Sequence, residues 1–244
     1  MTVIEVSKLH KRYGKRVAVE DISFTVNEGE IFGIVGPNGA GKTTTVECLI
    51  GLRKPTRGRI GVLGHDPQHE PGPVRERLGV QLQDGQLPDK LRVGEALELY
   101  ASFYRSPADP AALLKELTLD QHRDHPYKKL SGGQKQRLSI ALALVGNPKI
   151  AVFDELTTGL DPNGRRVTWK LIESVRDRGV TVVLVSHFME EAERLCDRVA
   201  VIDGGRVIAL DTPARLVAQA GKDSKNLDDA FLALTGRSIE EMEA

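Results

Sequence analysis

Gly36-Pro37-Asn38-Gly39-Ala40-Gly41-Lys42-Thr43 sets glycines, a lysine and a hydroxyl at a spacing that lets bare backbone wrap an anion. Glycines allow successive N–H groups to face a phosphate, and the helix that follows, running to Gly51, adds its positive end. In such a loop Lys42 pairs with the β- and γ-phosphates of a nucleotide, and Thr43 ligates Mg2+. Much further along, the apolar run Ile150-Ala151-Val152-Phe153 ends in Asp154 and Glu155. A buried strand would deliver those acids at its carboxyl end, where open α/β sheets gather ligands. Asp154 suits the magnesium shell there, and Glu155 the polarisation of an attacking water. His187 follows another apolar segment, 180–186. It could reach the γ-phosphate or hold Glu155 and water in line.

A second anion site is written into Leu130-Ser131-Gly132-Gly133-Gln134. Ser131 and Gln134 have the spacing of a capping box, and Leu138, Ala141, Leu142 and Val145 then give a helix its buried face. Gly132 and Gly133 fall in the first turn, where glycine is a poor helix former. An ordinary capped helix explains Ser131 and Gln134 but leaves the two glycines without a reason. Bare backbone that must approach a ligand supplies one.

These residues need a scaffold that alternates strand and helix. Ile22, Phe24 and Val26 alternate with polar neighbours, Asn27-Glu28-Gly29 turns the chain, and Ile31 to Val35 reads as a buried central strand directly before the phosphate loop. More glycine-punctuated strand follows from Arg57 to Gly64. From Asp84 to Asn147 the period changes: Val93, Ala96, Leu97, Tyr100, Ala101 and Tyr104 share one helical face, and Asp109-Pro110 caps a further helix. The core resumes at Ile150, with a helix from Pro162 to Gly179, a strand from Val180 to Val185 and a hairpin at Asp203-Gly204-Gly205. Beyond Asp211 the chain reads as polar, with one short amphipathic piece at Leu227–Leu234 packed through Phe231. The expected fold class is α/β: a P-loop NTPase core with a mostly parallel sheet, an N-terminal antiparallel β subdomain and an inserted helical lobe. The whole chain, 1–244, forms one domain on this reading. Its core comprises 1–83 and 147–211, the helical lobe 84–146 and the C-terminal tail 212–244.

Lysine plus arginine number 34 and aspartate plus glutamate 34, so no net field recruits nucleic acid or an acidic membrane, and direct nucleic-acid binding is not expected. The two cysteines, Cys48 and Cys196, both fall in predicted helical segments, offer no disulfide framework and suit a reducing compartment. The start of the chain lacks a signal-peptide layout, and its longest apolar stretch falls far short of the ~20 residues that a spanning helix requires. The expectation is a soluble, cytoplasmic chain whose membrane role would come through a partner.

Taken in order, the phosphate loop, Leu-Ser-Gly-Gly-Gln and the Asp-Glu strand resemble the ATP-binding subunit of ABC transporters over nearly the whole chain. The resemblance implies ATP and Mg2+ as cofactors, with Gly36, Pro37, Asn38, Gly39, Ala40, Gly41, Lys42, Thr43 and Thr44 around the phosphates. It implies Thr43, Gln83 and Asp154 at the metal, and Glu155, His187 and Gln83 in catalysis. Tyr13 resembles the aromatic that stacks on adenine, although a strand-edge tyrosine is the plain alternative. Gln81 competes with Gln83, but counting from Gly79 puts Gln81 at a usually apolar position. Asp161 resembles the loop aspartate of the dimer seam and equally fits an N-cap before Pro162.

In the family two copies pack head to tail, so that Ser131, Gly132, Gly133 and Gln134 of one cover the γ-phosphate held by the other. The segment 185–193 and the tail 227–232 resemble the drug-resistance and ABC-2 exporter branch. The implied function is ATP hydrolysis powering export of a drug-like or lipid-like substrate through a separate permease, engaged near Gln83 to Tyr104, with the chain peripheral on the inner membrane face. The alternative is an ABC-type ATPase in cofactor assembly or nucleic-acid or ribosome work. Leu156 departs from the pattern, since the family usually has proline after the catalytic acid.

Overall fold

In the computed structural model, residues 1–83, 85–221 and 224–236 are described. The elements in chain order are β1 (Thr2–Tyr13), β2 (Arg16–Asn27), β3 (Ile31–Val35), α1 (Lys42–Leu49), β4 (Arg57–Val62), α2 (Pro71–Arg75), β5 (Leu78–Gln81), α3 (Val93–Ala101), α4 (Pro110–Glu116), α5 (Gly132–Leu144), β6 (Ile150–Asp154), α6 (Pro162–Asp177), β7 (Thr181–Ser186), α7 (Met189–Leu195), β8 (Arg198–Asp203), β9 (Arg206–Asp211), α8 (Pro213–Ala220) and α9 (Leu227–Thr235). They divide into two compact units, one of Met1–Val74 with Val183–Ala244 and one of Arg75–Val182.

In the first unit β2, β1 and β4 form the expected antiparallel sheet, with Val6 opposite Phe24 and Ile60, and Ile4 opposite Val26 and Val62. The period-two pattern produces it: Ile22, Phe24 and Val26 are buried while Ser23 and Thr25 are exposed. β3 is buried at every position and pairs in parallel with β8, Phe32 beside Arg198 and Val35 beside Val201. The Phe32 ring stacks on Phe24 at a centroid distance of 5.2 Å. β8 returns antiparallel as β9 through Gly204 and Gly205, both at positive φ, as a tight hairpin turn demands. The sheet containing β3 is therefore mixed.

The tail corrects the sequence reading, which expected one amphipathic piece after Asp211. Two helices form: α8, where the Thr212 hydroxyl accepts from Arg215 N–H and Pro213 opens the first turn, and α9, capped by Asn226 through Asp229 N–H at 2.8 Å. Pro213 and Leu216 alone among the α8 side chains are buried, a short pattern for periodicity to reveal, although the Thr-Pro cap was legible. Phe231 is completely buried, as expected, and the end of the anticipated tail, 237–244, lies outside the described residues. Cys48 lies in α1, whereas Cys196 stands just past α7 in an extended conformation rather than in a helix.

In the second unit β5 and β6 pair in parallel, Leu78 with Ile150 and Gln81 with Phe153. Gly79 lets α5 approach this pair, because a Cβ there would collide with the Ala143 carbonyl. α3 buries Val93, Ala96, Leu97 and Ala101 of the expected stripe, but Tyr100 is half-buried and Tyr104 lies past the end of the helix; α5 and its C-cap bury Leu138, Ala141, Leu142 and Val145, as the spacing predicts. Asp109 caps α4 through Ala111 N–H at 2.9 Å. Among the described residues no helix is long and apolar enough to cross a membrane.

Candidate active site

The phosphate loop joins β3 to α1 and owes its path to glycine. Gly41 caps α1 at φ 102°, and a Cβ there would sit 2.5 Å from the Ala18 carbonyl. Gly39 turns at φ 77° with nothing to meet a Cβ within 4 Å, so its backbone faces open space. Among the described residues no side chain caps α1, and a helix start of this kind suits an anion. Lys42 is 5% exposed and curls back over the loop, donating from Nζ to the carbonyls of Gly36 at 2.8 Å and Pro37 at 3.0 Å. The ammonium is thereby held over the same turn whose backbone would cradle phosphate. Ala40 is buried, Thr43 is exposed and Thr44 half-buried in the first turn of α1.

In the second unit Asp154 ends β6 fully buried, and Glu155 follows half-buried at φ 52°, a left-handed conformation that non-glycine residues seldom adopt. That turn takes the Glu155 side chain off the strand axis and toward Gln83, whose Nε2 donates to its Oε2 at 2.8 Å. Gln83 is the glutamine that meets the acid. Gln81 is instead held in β5 with its Nε2 donating to the Leu82 carbonyl at 2.9 Å. Leu156 is completely buried, and its carbonyl accepts from Gln136 Nε2 of α5.

His187 follows β7, where Ser186 Oγ accepts from Phe188 N–H at 3.0 Å and fixes the turn. His187 lines a cleft of about 310 Å3 with Gly36, Pro37, Asn38, Phe188, Met189, Glu190 and Asp228. The structure thus puts the histidine and the start of the phosphate loop on one cleft. Asp228, at the start of α9, was missed as a wall of this cleft. Partial burial raises its carboxyl above the ordinary range, helped by Glu193, Asp229 and Glu190.

Tyr13, at the end of β1, is 39% exposed and flanked by two cations, Lys11 Nζ at 5.0 Å and Arg53 Cζ at 5.7 Å from the ring centroid. An exposed ring between cations can offer a face to a flat heterocycle and charge to an anion. Lys11 was overlooked in the sequence, although its two-residue spacing from Tyr13 in a strand already put both on one side.

The signature turn has the capping box that its spacing predicts: Ser131 N–H donates to Gln134 Oε1 at 2.8 Å, and Gln134 N–H to Ser131 Oγ at 3.3 Å. A Cβ at Gly132 or Gly133 would meet nothing within 4 Å, so no packing among the described residues demands glycine there. Asp161 is the N-cap of α6, accepting from Gly164 N–H at 2.8 Å, with Pro162 opening the helix.

A phosphate loop on a strand-to-helix turn, acids at a strand end and a capped helix with a bare first turn define a nucleotide-hydrolysing cassette. The chain belongs to the ABC transporter family, whose model matches residues 19–158. It binds and hydrolyses ATP as members of that family do. It is 40% identical to Nod factor export ATP-binding protein I of Ralstonia nicotianae over 220 residues, covering 88% of this chain and 68% of the relative. Among solved structures, an ATP-binding subunit of an ABC transporter superposes with a TM-score of 0.86 at 30% identity, covering 96% of this chain and 100% of the other. An ATP-binding cassette in a dimeric post-hydrolysis state, bound to ADP and Pi, matches with a TM-score of 0.76 at 27% identity, covering 86% of this chain and 98% of the other.

Proposed function

We propose that this chain dimerises head to tail on ATP and powers export by a separate membrane permease, to which it is bound at the inner membrane face. The observation that carries this reading is the first turn of α5, where a Cβ on Gly132 or Gly133 would meet nothing within 4 Å among the described residues, so that both present bare backbone. A helix N-terminus so stripped suits a phosphate held by another molecule. The relative's name speaks of export, and one structural neighbour is a dimer with hydrolysis products bound.

On this reading Gly36 to Thr44 and Lys42 hold the ATP phosphates, Tyr13 stacks on adenine, and Ser131 to Gln134 with Asp161 come from the second copy. Glu155, oriented by Gln83, takes a proton from the attacking water, and His187 holds the γ-phosphate side in line. Thr43, Gln83 and Asp154 offer only oxygen to a cation, a donor set that fits Mg2+. Among the described residues no group of three or more acids, histidines or cysteines forms a protein cage, so such an ion would take much of its shell from phosphate and water. When bound it neutralises charge developing on the transferred phosphoryl group. The residues 1–83 and 147–211 act as nucleotide core and 84–146 as the lobe that meets the permease. Leu99 and Phe103, 47% and 70% exposed on and just after α3, are suited to such a contact.

Mixing a Ser131→Arg subunit with a Lys42→Ala subunit tests the shared site. Heterodimers should recover one complete site and part of the turnover that each variant lacks alone; no recovery in verified heterodimers refutes the arrangement. Capture of an integral membrane protein from native membranes separates the exporter from an ATPase in assembly or nucleic-acid work.

A further inference from the structure

His122 and His125 lie in the loop before the signature turn and have no part in the site described above. Their geometry follows from one backbone N–H. Ser131 N–H can only donate, and it meets Gln134 at 2.8 Å, so the amide oxygen of Gln134 must lie on that side and the NH2 on the other. That NH2 stands 2.8 Å from His122 Nε2, which must therefore be unprotonated and accept. The proton of a neutral His122 is then on Nδ1, and it faces His125 Nδ1 at 3.1 Å. His125 accepts there and carries its own proton on Nε2. The two rings sit 5.0 Å apart, and His122 is half-buried while His125 is exposed.

The relay is anchored at its far end as well. The His125 carbonyl accepts from Val93 N–H at 3.1 Å and the Arg123 carbonyl from Gly94 N–H at 2.9 Å, tying the histidine turn to the start of α3. An additional strut fixes the near end, because Arg137 of α5 donates to the Thr118 hydroxyl and to the Gly133 carbonyl. A glutamine on a helix surface ordinarily samples several rotamers. Here Gln134 is held at both ends of its amide, and the Ser131 N–H is held with it.

From this geometry we infer that His122 is a positioning residue for ATP hydrolysis. It locks the Gln134 amide, and through it the bare Ser131-Gly132-Gly133 turn, in the shape that meets phosphate, while His125 keeps His122 in the Nδ1–H tautomer. The inference rests on the reading that this turn covers the partner copy's nucleotide. Nothing in Ser131 or Gln134 alone fixes the amide's outer end, since the capping box uses only its oxygen.

The test compares steady-state turnover and nucleotide affinity of the full chain with His122→Leu, His122→Gln, His122→Lys and Ser131→Arg. Loss of one net hydrogen bond predicts a fall in kcat of about three- to tenfold for His122→Leu, with ATP affinity of the monomer unchanged. Gln presents an acceptor oxygen and should restore most of the rate; Lys presents only donors and should not. The imidazole 15N spectrum of the wild-type chain should show His122 with Nε2 unprotonated, a readout that requires no variant to fold. An Nε2–H tautomer for His122 overturns the inference. Wild-type turnover in His122→Leu, with Ser131→Arg inactive, overturns it while sparing the shared-site reading. Wild-type turnover in Ser131→Arg removes that reading and the inference together.

Discussion

Glu155 sits at φ 52°, and the energetic consequence is open to measurement. A side chain in the left-handed region costs roughly 1–2 kcal/mol, because Cβ crowds the following carbonyl. Glycine escapes that cost but surrenders about 0.5–1 kcal/mol through the greater freedom of its unfolded chain. Glu155→Gly and Glu155→Ala both delete the hydrogen bond from Gln83, so their difference isolates the backbone term. Glycine should be the more stable by about 0.5–1 kcal/mol, which for a chain of this size is roughly 1–4 °C in Tm. Thermal unfolding without nucleotide is the assay, since bound ATP would add its own stabilisation. Lys170, exposed within α6, supplies the control: there Gly should fall below Ala by about 1 kcal/mol, the opposite sign. Both Glu155 variants should lose turnover. A Glu155→Ala protein as stable as Glu155→Gly, or more so, refutes the argument that the acid is delivered by a strained turn.

Burial pushes the Cys48 thiol up to about 11 and raises that of Cys196 as well. Only the thiolate reacts, so both should resist alkylation at neutral pH in the native protein, with Cys48 becoming reactive only under strongly alkaline conditions; mass spectrometry after a timed iodoacetamide pulse reads this, and rapid labelling at neutral pH would contradict the burial. Phe231 is fully buried in α9, and truncation to alanine should cost about 3–5 kcal/mol, measured by urea unfolding, or release α9 locally, measured by hydrogen exchange.

The motifs were legible because their chemistry is local. Glycine positions in the phosphate loop, the Ser131–Gln134 box and the Asp109 cap each involve residues within a few places of one another. β5 escaped notice because four residues are too few for a period, and its partner lies more than seventy residues away in the chain. α8 escaped because its buried face is only Pro213 and Leu216, although Thr212 and Pro213 had announced it.

The sequence by itself determined the turns, the caps and the alternation of strand and helix, since these follow from periodicity and from side chains that reach their own neighbouring backbone. Family resemblance, counted from Gly79, favoured Gln83 over Gln81. Only the tertiary structure decided that Gln83 meets Glu155, that Asp228 walls the cleft beside His187, and that His122 holds Gln134. Such pairings close long loops, and the entropy of that closure is offset by burial spread over the whole unit rather than by any local pattern. A residue's own neighbours in the sequence therefore carry no trace of them.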